Sequence, residues 1–547
     1  MADNQPVFIL PENVQRMLGR DAQRNNIMAA RLVADTVKTT LGPRGMDKML
    51  VDSIGDITVT NDGVTILTEM QIEHPAAKMM VEIAKTQEAE VGDGTTTAVV
   101  IGGELLKNAE KLLDLNIHPT IIVKGYRLAE EKAIKFLNEN AIKIDKSDQQ
   151  LAKNIAITAM TGKGAEAAKE KLADVLVEAV SKIAEIDGEN VKVDLNNIKI
   201  EKKKGKAIAD TRLISGIVLD KERVHPDMST SIKGAKIALL DTPLEIKSPE
   251  TDTKIQVSTA EQLQAFLEHE EKSLKEMVAK IKTTGANVIL CQKGIDDLAQ
   301  YYLASEGILA ARRVKQSDME KLAKATGARI ISNLSELEEK YLGKAGIVEE
   351  VKEGKEEEGM LYIQDCPNPK AITIMIRGGT DHVIDEIERA MQDGLGDIAA
   401  TLQEGKVVPG GGAIEIEVAR DLRTYAQTFK GREQLAIEQF AEALESIPRI
   451  LAENAGLDPI DMLTELKAKH DAGEKTAGID VFNSGIGNMT ELGVIEPLKI
   501  KTQAITSASE VTNLILRIDD VVAAGKSDSG SGGMPPGMGG MPGMGME

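Results

Sequence analysis

The stretch Val91-Gly-Asp-Gly-Thr-Thr-Thr-Ala-Val-Val100 constrains this chain more than any other. Two glycines flank an acid, three threonines follow, and an apolar helical run begins at Ala98. Glycine at 92 and 94 permits a tight turn, and the threonines predict a capped first turn of the following helix. Free N–H groups at such a helix start, with the helix dipole, favour a phosphate group. An ordinary glycine turn with a threonine cap is the competing reading of the motif taken alone. Asp93 adds a constraint. A carboxylate about 5 Å from a phosphate would repel it by about 3 kcal/mol at an effective dielectric of 20, so a bridging cation is implied. Magnesium suits that place, since it is usually held by one or two carboxylates plus phosphate oxygens.

At 547 residues the chain exceeds what one core serves, so two to four structural units are expected. With no Trp, six Phe and six Tyr, its cores must be built from aliphatic side chains, and base-stacking surfaces are not expected. The net charge of −21 argues against a nucleic-acid binder. Two cysteines, Cys291 and Cys366, give no disulfide framework, and the six histidines lack metal-ligand spacing. No secretory signal or run of eighteen apolar residues is visible, so a cytoplasmic protein without membrane partners is expected.

Along the chain, Val7–Leu10 reads as a short strand and residues 21–40 as a helix stopped by Gly42 and Pro43. Residues 49–51 and 57–60 read as a hairpin leading to Asn61-Asp-Gly63 and a helix start. From 216 to 369 strands at 236–240, 286–290, 308–311 and 328–331 alternate with helices, the pattern of an α/β unit. Ser317 and Glu320 read as a capping box. Within this unit 244–257 is polar, and the helix after it carries a stripe of Leu263, Phe266, Leu267, Leu274, Met277, Val278 and Ile281. That helix either projects outward or lies along the sheet. A helix from Thr380 to Gln403 has its apolar stripe at Val383, Ile384, Ile387, Met391, Leu395 and Ile398, with Asp393 on the polar face beside His382, Glu386 and Arg389. Leu514–Ile518 reads as a strand, and the Gly/Met/Pro/Ser repeat from 525 as a disordered tail.

No GxxxxGK[ST] pattern occurs, and the opening loop follows a helix with Thr97 at the third glycine position, which argues against P-loop and Rossmann sites. Five motifs in order carry a stronger signal: Leu41-Gly-Pro-Arg-Gly-Met-Asp-Lys48, Thr60-Asn-Asp-Gly63, Gly92-Asp-Gly-Thr-Thr-Thr97, Val408-Pro-Gly-Gly-Gly412 and Gly431-Arg-Glu-Gln434. In this set the chain resembles the chaperonins over its whole length, and within group II it looks most like the archaeal thermosome branch.

The resemblance implies a multidomain α+β fold. A mostly helical equatorial ATPase domain would comprise 1–145 and 406–525, and a small α/β intermediate domain 146–216 and 370–405. An α/β apical domain would span 217–369 with a helical protrusion at about 244–282, ahead of a Gly/Met-rich tail at 526–547. It implies an ATP-dependent chaperone using ATP and Mg2+, with unfolded polypeptides as clients and self-association into stacked rings, joined or not by paralogous subunits. Gly42, Pro43, Gly94, Thr95, Thr96 and Thr97 would hold the nucleotide's phosphates and Asp93 the metal, with Leu41, Asn61, Gly63 and Gly412 also at the nucleotide. Gly411, Asp480 and Glu496 would surround the nucleoside, Lys163 would sense the γ-phosphate, and Asp62 and Asp393 would position the attacking water. Leu298, Tyr302 and Met319 would touch clients, against the alternative that they pack inward. Gly394 stands where many relatives carry alanine, and with Gly396 it is expected to loosen its helix by about 1 kcal/mol per glycine. A stand-alone metabolic ATPase or kinase, and a non-hydrolysing holdase, are the rival functions.

Overall fold

The computed structural model describes residues 14–146, 148–187, 190–246, 259–352, 359–367 and 369–524. The expected strand at Val7–Leu10, most of the polar stretch 244–257 and the tail from 525 lie outside the described residues.

Three apolar bodies organise the chain, and the first is helical. Helices Gly19–Val37, Pro75–Val91, Thr95–Asp114 and Pro119–Asn140 pack with Ala413–Ala426, Glu433–Leu444, Ser446–Asn454 and Leu498–Leu516 around one core. Alanine, isoleucine and leucine dominate that core, and the alanines let helices approach closely. Its aromatic anchor joins the two chain segments: the Tyr126 and Phe440 rings meet edge to face at 5.6 Å, and the Tyr126 hydroxyl donates to Leu105 O at 2.8 Å. Such a ring pair contributes about 0.5–1.5 kcal/mol beyond its buried area.

The middle body is a three-stranded sheet in which Ile372–Gly378 lies between a parallel partner, Ile198–Lys204, and an antiparallel one, Arg212–Ile214. Helices Gln149–Met160, Lys169–Ile183 and Asp381–Glu404 bury their apolar faces in the same core. The third body is a seven-stranded sheet, six strands of which run in the order Leu309–Ala311, Val288–Cys291, Ser231–Leu240, Gly343–Val351, Met360–Gln364, Gly216–Leu219; Ile330–Ile331 pairs separately with Ser231–Leu240. Helix Gln316–Thr326 contributes to one core against this sheet, and Ala260–Thr283 with Asp297–Ser305 to another. Both faces are therefore covered, which is why the central strands read as unbroken apolar runs.

Helix Ala260–Thr283 divides its predicted stripe. Leu274, Val278 and Ile281 are buried, whereas Phe266 and Leu267 are 39% and 54% exposed. At 1.5 Å per residue the helix is ~36 Å long, and its first half stands clear of the sheet.

Two local expectations are corrected. Leu514–Leu516 is the last turn of a helix, with Ile515 and Leu516 in the core and Arg517 as C-cap. A short apolar run does not distinguish a strand from a buried helix end. The strand follows at Asp520–Ala524 and pairs antiparallel with Val14–Leu18. The capping box at Ser317 does not form, because the helix begins at Gln316 with Lys315 as an N-cap that makes no side-chain bond. Gly394 and Gly396 lie within a helix that is continuous over Asp381–Glu404. They let it pack closely: a Cβ at 394 would meet Leu176 Cδ1 at 2.7 Å, and one at 396 would meet Val91 O at 2.8 Å.

Candidate functional site

A cleft of about 390 Å³ opens between the helical and middle bodies. The helical body lines it with Leu41, Gly42, Pro43, Asn61, Asp62, Gly63, Asp93, Gly94, Thr95, Thr96, Thr97, Gly411, Gly412, Asp480 and Glu496, and the middle body adds Lys163. The fold thus gathers every predicted nucleotide-contacting residue, Asp62 and the predicted metal ligand onto one surface.

The threonine cap is absent. Gly94 is the N-cap, in the left-handed region at φ +79°, and no side chain caps the helix Thr95–Asp114. The first intrahelical bond is Ala98 N–H to Gly94 O, so the preceding N–H groups form an open helix terminus on the cleft wall. A Cβ at 94 would stand 2.6 Å from Ile500 Cγ2. Gly412, likewise at positive φ and without a side-chain bond, begins the helix Ala413–Ala426. Buried Gln87 fixes the loop by donating from Nε2 to Asp93 O at 2.8 Å.

Asp62 caps a third helix, Gly63–Glu69: its Oδ2 accepts from Thr65 N at 2.8 Å and Thr65 Oγ1 at 2.6 Å, and Oδ1 accepts from Thr95 Oγ1 at 3.3 Å. The Asp480 carboxylate accepts from Phe482 N, Asn483 N and Asn483 Nδ2. Burial opposes its ionisation, yet these bonds outweigh burial and hold its pKa below the usual value.

The middle body supplies the charged wall. Gly162, in the loop after helix Gln149–Met160, lies against Pro43, and Asn61 Nδ2 donates to Gly162 O at 2.9 Å. Lys163 then reaches Asp93 Oδ1 at 3.5 Å and forms a close ion pair with Asp393 Oδ2. Asp393 does not line the cleft; it stands behind Lys163 and is 6% exposed. The helix Asp381–Glu404 carries it against the other body, while Glu386 and Arg389 pair with each other and His382 stays exposed. Val383, predicted within the apolar stripe, is exposed.

Burial raises the Asp393 carboxyl well above the carboxylate range, and Asp93 and Asp62 add to the rise against Lys163. Burial alone would lower the Lys163 ammonium, but Asp393 and Asp93 outweigh it and keep the group cationic. Burial, with Asp62 and Asp93, lifts Glu88 to about 7. A second buried lysine, Lys501, pairs with Glu415 at 2.9 Å and Glu496 at 2.5 Å. Gln87, Glu88, Asp397, Phe482 and Lys501 were not singled out from sequence. The four-residue step from Asp393 to Asp397, which keeps one helix face, was the available signal for Asp397.

In the third body Leu298 is 48% exposed, and Tyr302 is half-buried, its hydroxyl bonded to Glu271 Oε1 at 2.7 Å. Met319 is corrected: it is fully buried in the core of helix Gln316–Thr326 and presents nothing to a client.

A cleft walled by open helix termini on one body and by Lys163 and Asp397 on another is fitted to a ligand that carries phosphate, the mark of a nucleotide-driven class of protein. The TCP-1/cpn60 chaperonin family model matches residues 33–526, and the chain belongs to that family. It is 61% identical over 522 residues to a thermosome subunit of Methanopyrus kandleri, covering 95% of each chain. It is 60% identical over 519 residues to thermosome subunit alpha of Archaeoglobus fulgidus, covering 95% of each, and 59% identical over 536 residues to subunit beta of that organism, covering 97% and 98%. The protein is an ATP-dependent chaperone, and its ATP hydrolysis is coupled to protein folding. Among the described residues no helix is long and apolar enough to cross a membrane.

Proposed function

We propose that the cleft is the ATPase site and that hydrolysis depends on contact between its two walls. The helical body is the equatorial domain, 1–145 and 406–525; the middle body is the intermediate domain, 146–216 and 370–405; the sheet body, 217–369, is the apical domain. The open N–H groups after Gly94 hold phosphate, with the threonine hydroxyls beside them. Gly411, Asp480 and Glu496 surround the nucleoside.

The donor set fits Mg2+. Asp93 offers a hard oxygen at the phosphate seat, while among the described residues no three His, Cys, Asp or Glu side chains are arranged to hold a metal unaided. A site that relies on phosphate oxygens for its remaining donors has that character. When bound, Mg2+ neutralises charge on the phosphates. Asp62 and Asp393 orient the attacking water, and Asp393, held at Oδ2 by Lys163, accepts its proton at Oδ1. Phosphoryl transfer asks for this positioning more than for covalent chemistry.

The observation that carries the reading is Lys163, a single ammonium bonded to Asp93 of one body and Asp393 of the other. Asp393→Ala should lower phosphate release at least ~100-fold while a fluorescent nucleotide still binds; unchanged turnover would remove Asp393 from this role.

The protein works in the cytoplasm as a subunit of stacked rings, alone or with paralogues, enclosing non-native polypeptides. The half-free helix Ala260–Thr283 closes the chamber and Leu298 with Tyr302 holds clients. Support for a subunit contact comes from the hairpin Lys48–Val51 and Ile57–Thr60, where Met49, Val51 and Ile54 are exposed, Ile54 at 82%. Negative-stain micrographs of the purified protein test the assembly, and an absence of stacked rings would sink it.

A further inference from the structure

Asp397 lies one turn beyond Asp393 on the helix Asp381–Glu404. Unlike Asp393 it lines the cleft directly, it is 2% exposed, and its Oδ1 has no hydrogen-bond partner. A buried carboxylate oxygen left unpartnered is costly, and such groups are normally satisfied by protein, water or an ion. Asp93, Asp393 and Glu496 press negative charge on it, against the ammonium of Lys163, which Asp393 and Asp93 already share. The helix also lies directly on the turn that presents Asp93: a Cβ on Gly396 would stand 3.5 Å from Gly92 Cα. Two carboxylates from different bodies thus line the same cleft, and one keeps a buried oxygen without a partner.

We propose that Asp397 is a second carboxylate arm of the divalent-cation site, so that the cation accompanying the nucleotide is held by Asp93 from the helical body and by Asp397 from the middle body. This rests on reading the cleft as the Mg-nucleotide site. One or two carboxylates plus phosphate oxygens is the usual Mg2+ donor set, and here the second arm ties cation binding to the approach of the helix.

The test uses the full-length, assembled protein with ADP bound and Mn2+ as the probe, counted by electron paramagnetic resonance. Asp397→Asn keeps the side-chain shape, and Asp397→Val removes the charge at similar volume. Both should weaken Mn2+ binding ~10-fold or more, while metal-free binding of a fluorescent ADP analogue stays within about twofold of wild type. A merely structural role would shift melting temperature without moving Mn2+ affinity, and that result overturns the proposal. Asp93→Asn is measured alongside. If it loses Mn2+ while both Asp397 variants match wild type, the second arm alone fails; if Asp93→Asn also matches wild type, the reading of the cleft fails with it.

Discussion

The two walls of the cleft are built on opposite principles. On the helical body the ligand-facing groups are backbone N–H groups at the starts of Thr95–Asp114 and Ala413–Ala426, with no side-chain caps. Their positions are fixed by the shared helical core, so the wall is preformed. On the middle body the facing groups are side-chain charges, Lys163 and buried Asp397, with buried Asp393 paired to Lys163 from behind and Gly162 O held by Asn61. Binding by fixed dipoles costs little reorganisation. Chemistry by buried carboxylates is destabilising until a partner arrives, and that makes it conditional on contact between the bodies.

The preformed wall is broken most completely at Gly94. Gly94→Val places a side chain on a left-handed residue and against Ile500, and should reduce nucleotide affinity at least ~100-fold, about 3 kcal/mol, by isothermal titration. Full affinity in that variant would show that the N–H wall is adjustable.

The conditional wall is tested at Lys163. Lys163→Met strands the buried Asp393 beside Asp93 and should destabilise the nucleotide-free protein by about 3 kcal/mol in denaturant melts at pH 8. Because Asp393 has a raised pKa, the variant should regain stability on acidification as that carboxyl takes a proton. A pH-independent loss would contradict the charge argument.

Glu88 gives the smallest effect. Its pKa is raised from 4.5 to about 7, so its stabilising contribution is complete below about 4.5 and is lost as pH rises through 7. Allowing for its partial exposure, melts between pH 5 and 8 should show about 1–2 kcal/mol of dependence. Glu88→Gln should flatten that part of the profile; an unchanged profile would assign the dependence elsewhere.

Much of the site was legible because its signals are local. Glycines and acids at helix ends mark Gly42, Asp62, Gly94 and Gly412 without knowledge of the fold, and the ordered motifs pointed to the family. The strands of the sheet body were legible too, since burial on both faces leaves continuous apolar runs. What escaped depends on neighbours distant in sequence. The polar periodicity around Asp393 correctly marks a face without apolar contacts, but only the packed bodies reveal that this face meets another protein surface instead of water. Met319 looks like an available apolar residue until the sheet covers it. Gly394 and Gly396 read as helix weakeners because the close neighbours that require them, Leu176 and Val91, belong to other elements.

The pairing of Val14–Leu18 with Asp520–Ala524 bears on how the protein itself is made. The helical core joins residues 27–137 to 408–516, with the other two bodies nested between them like brackets within brackets. During synthesis the innermost sheet body can close first, the middle body next, and the body with the phosphate seat last. Contacts of such long sequence separation form slowly. The helical body is therefore the one part that cannot be finished until almost the whole polypeptide has emerged.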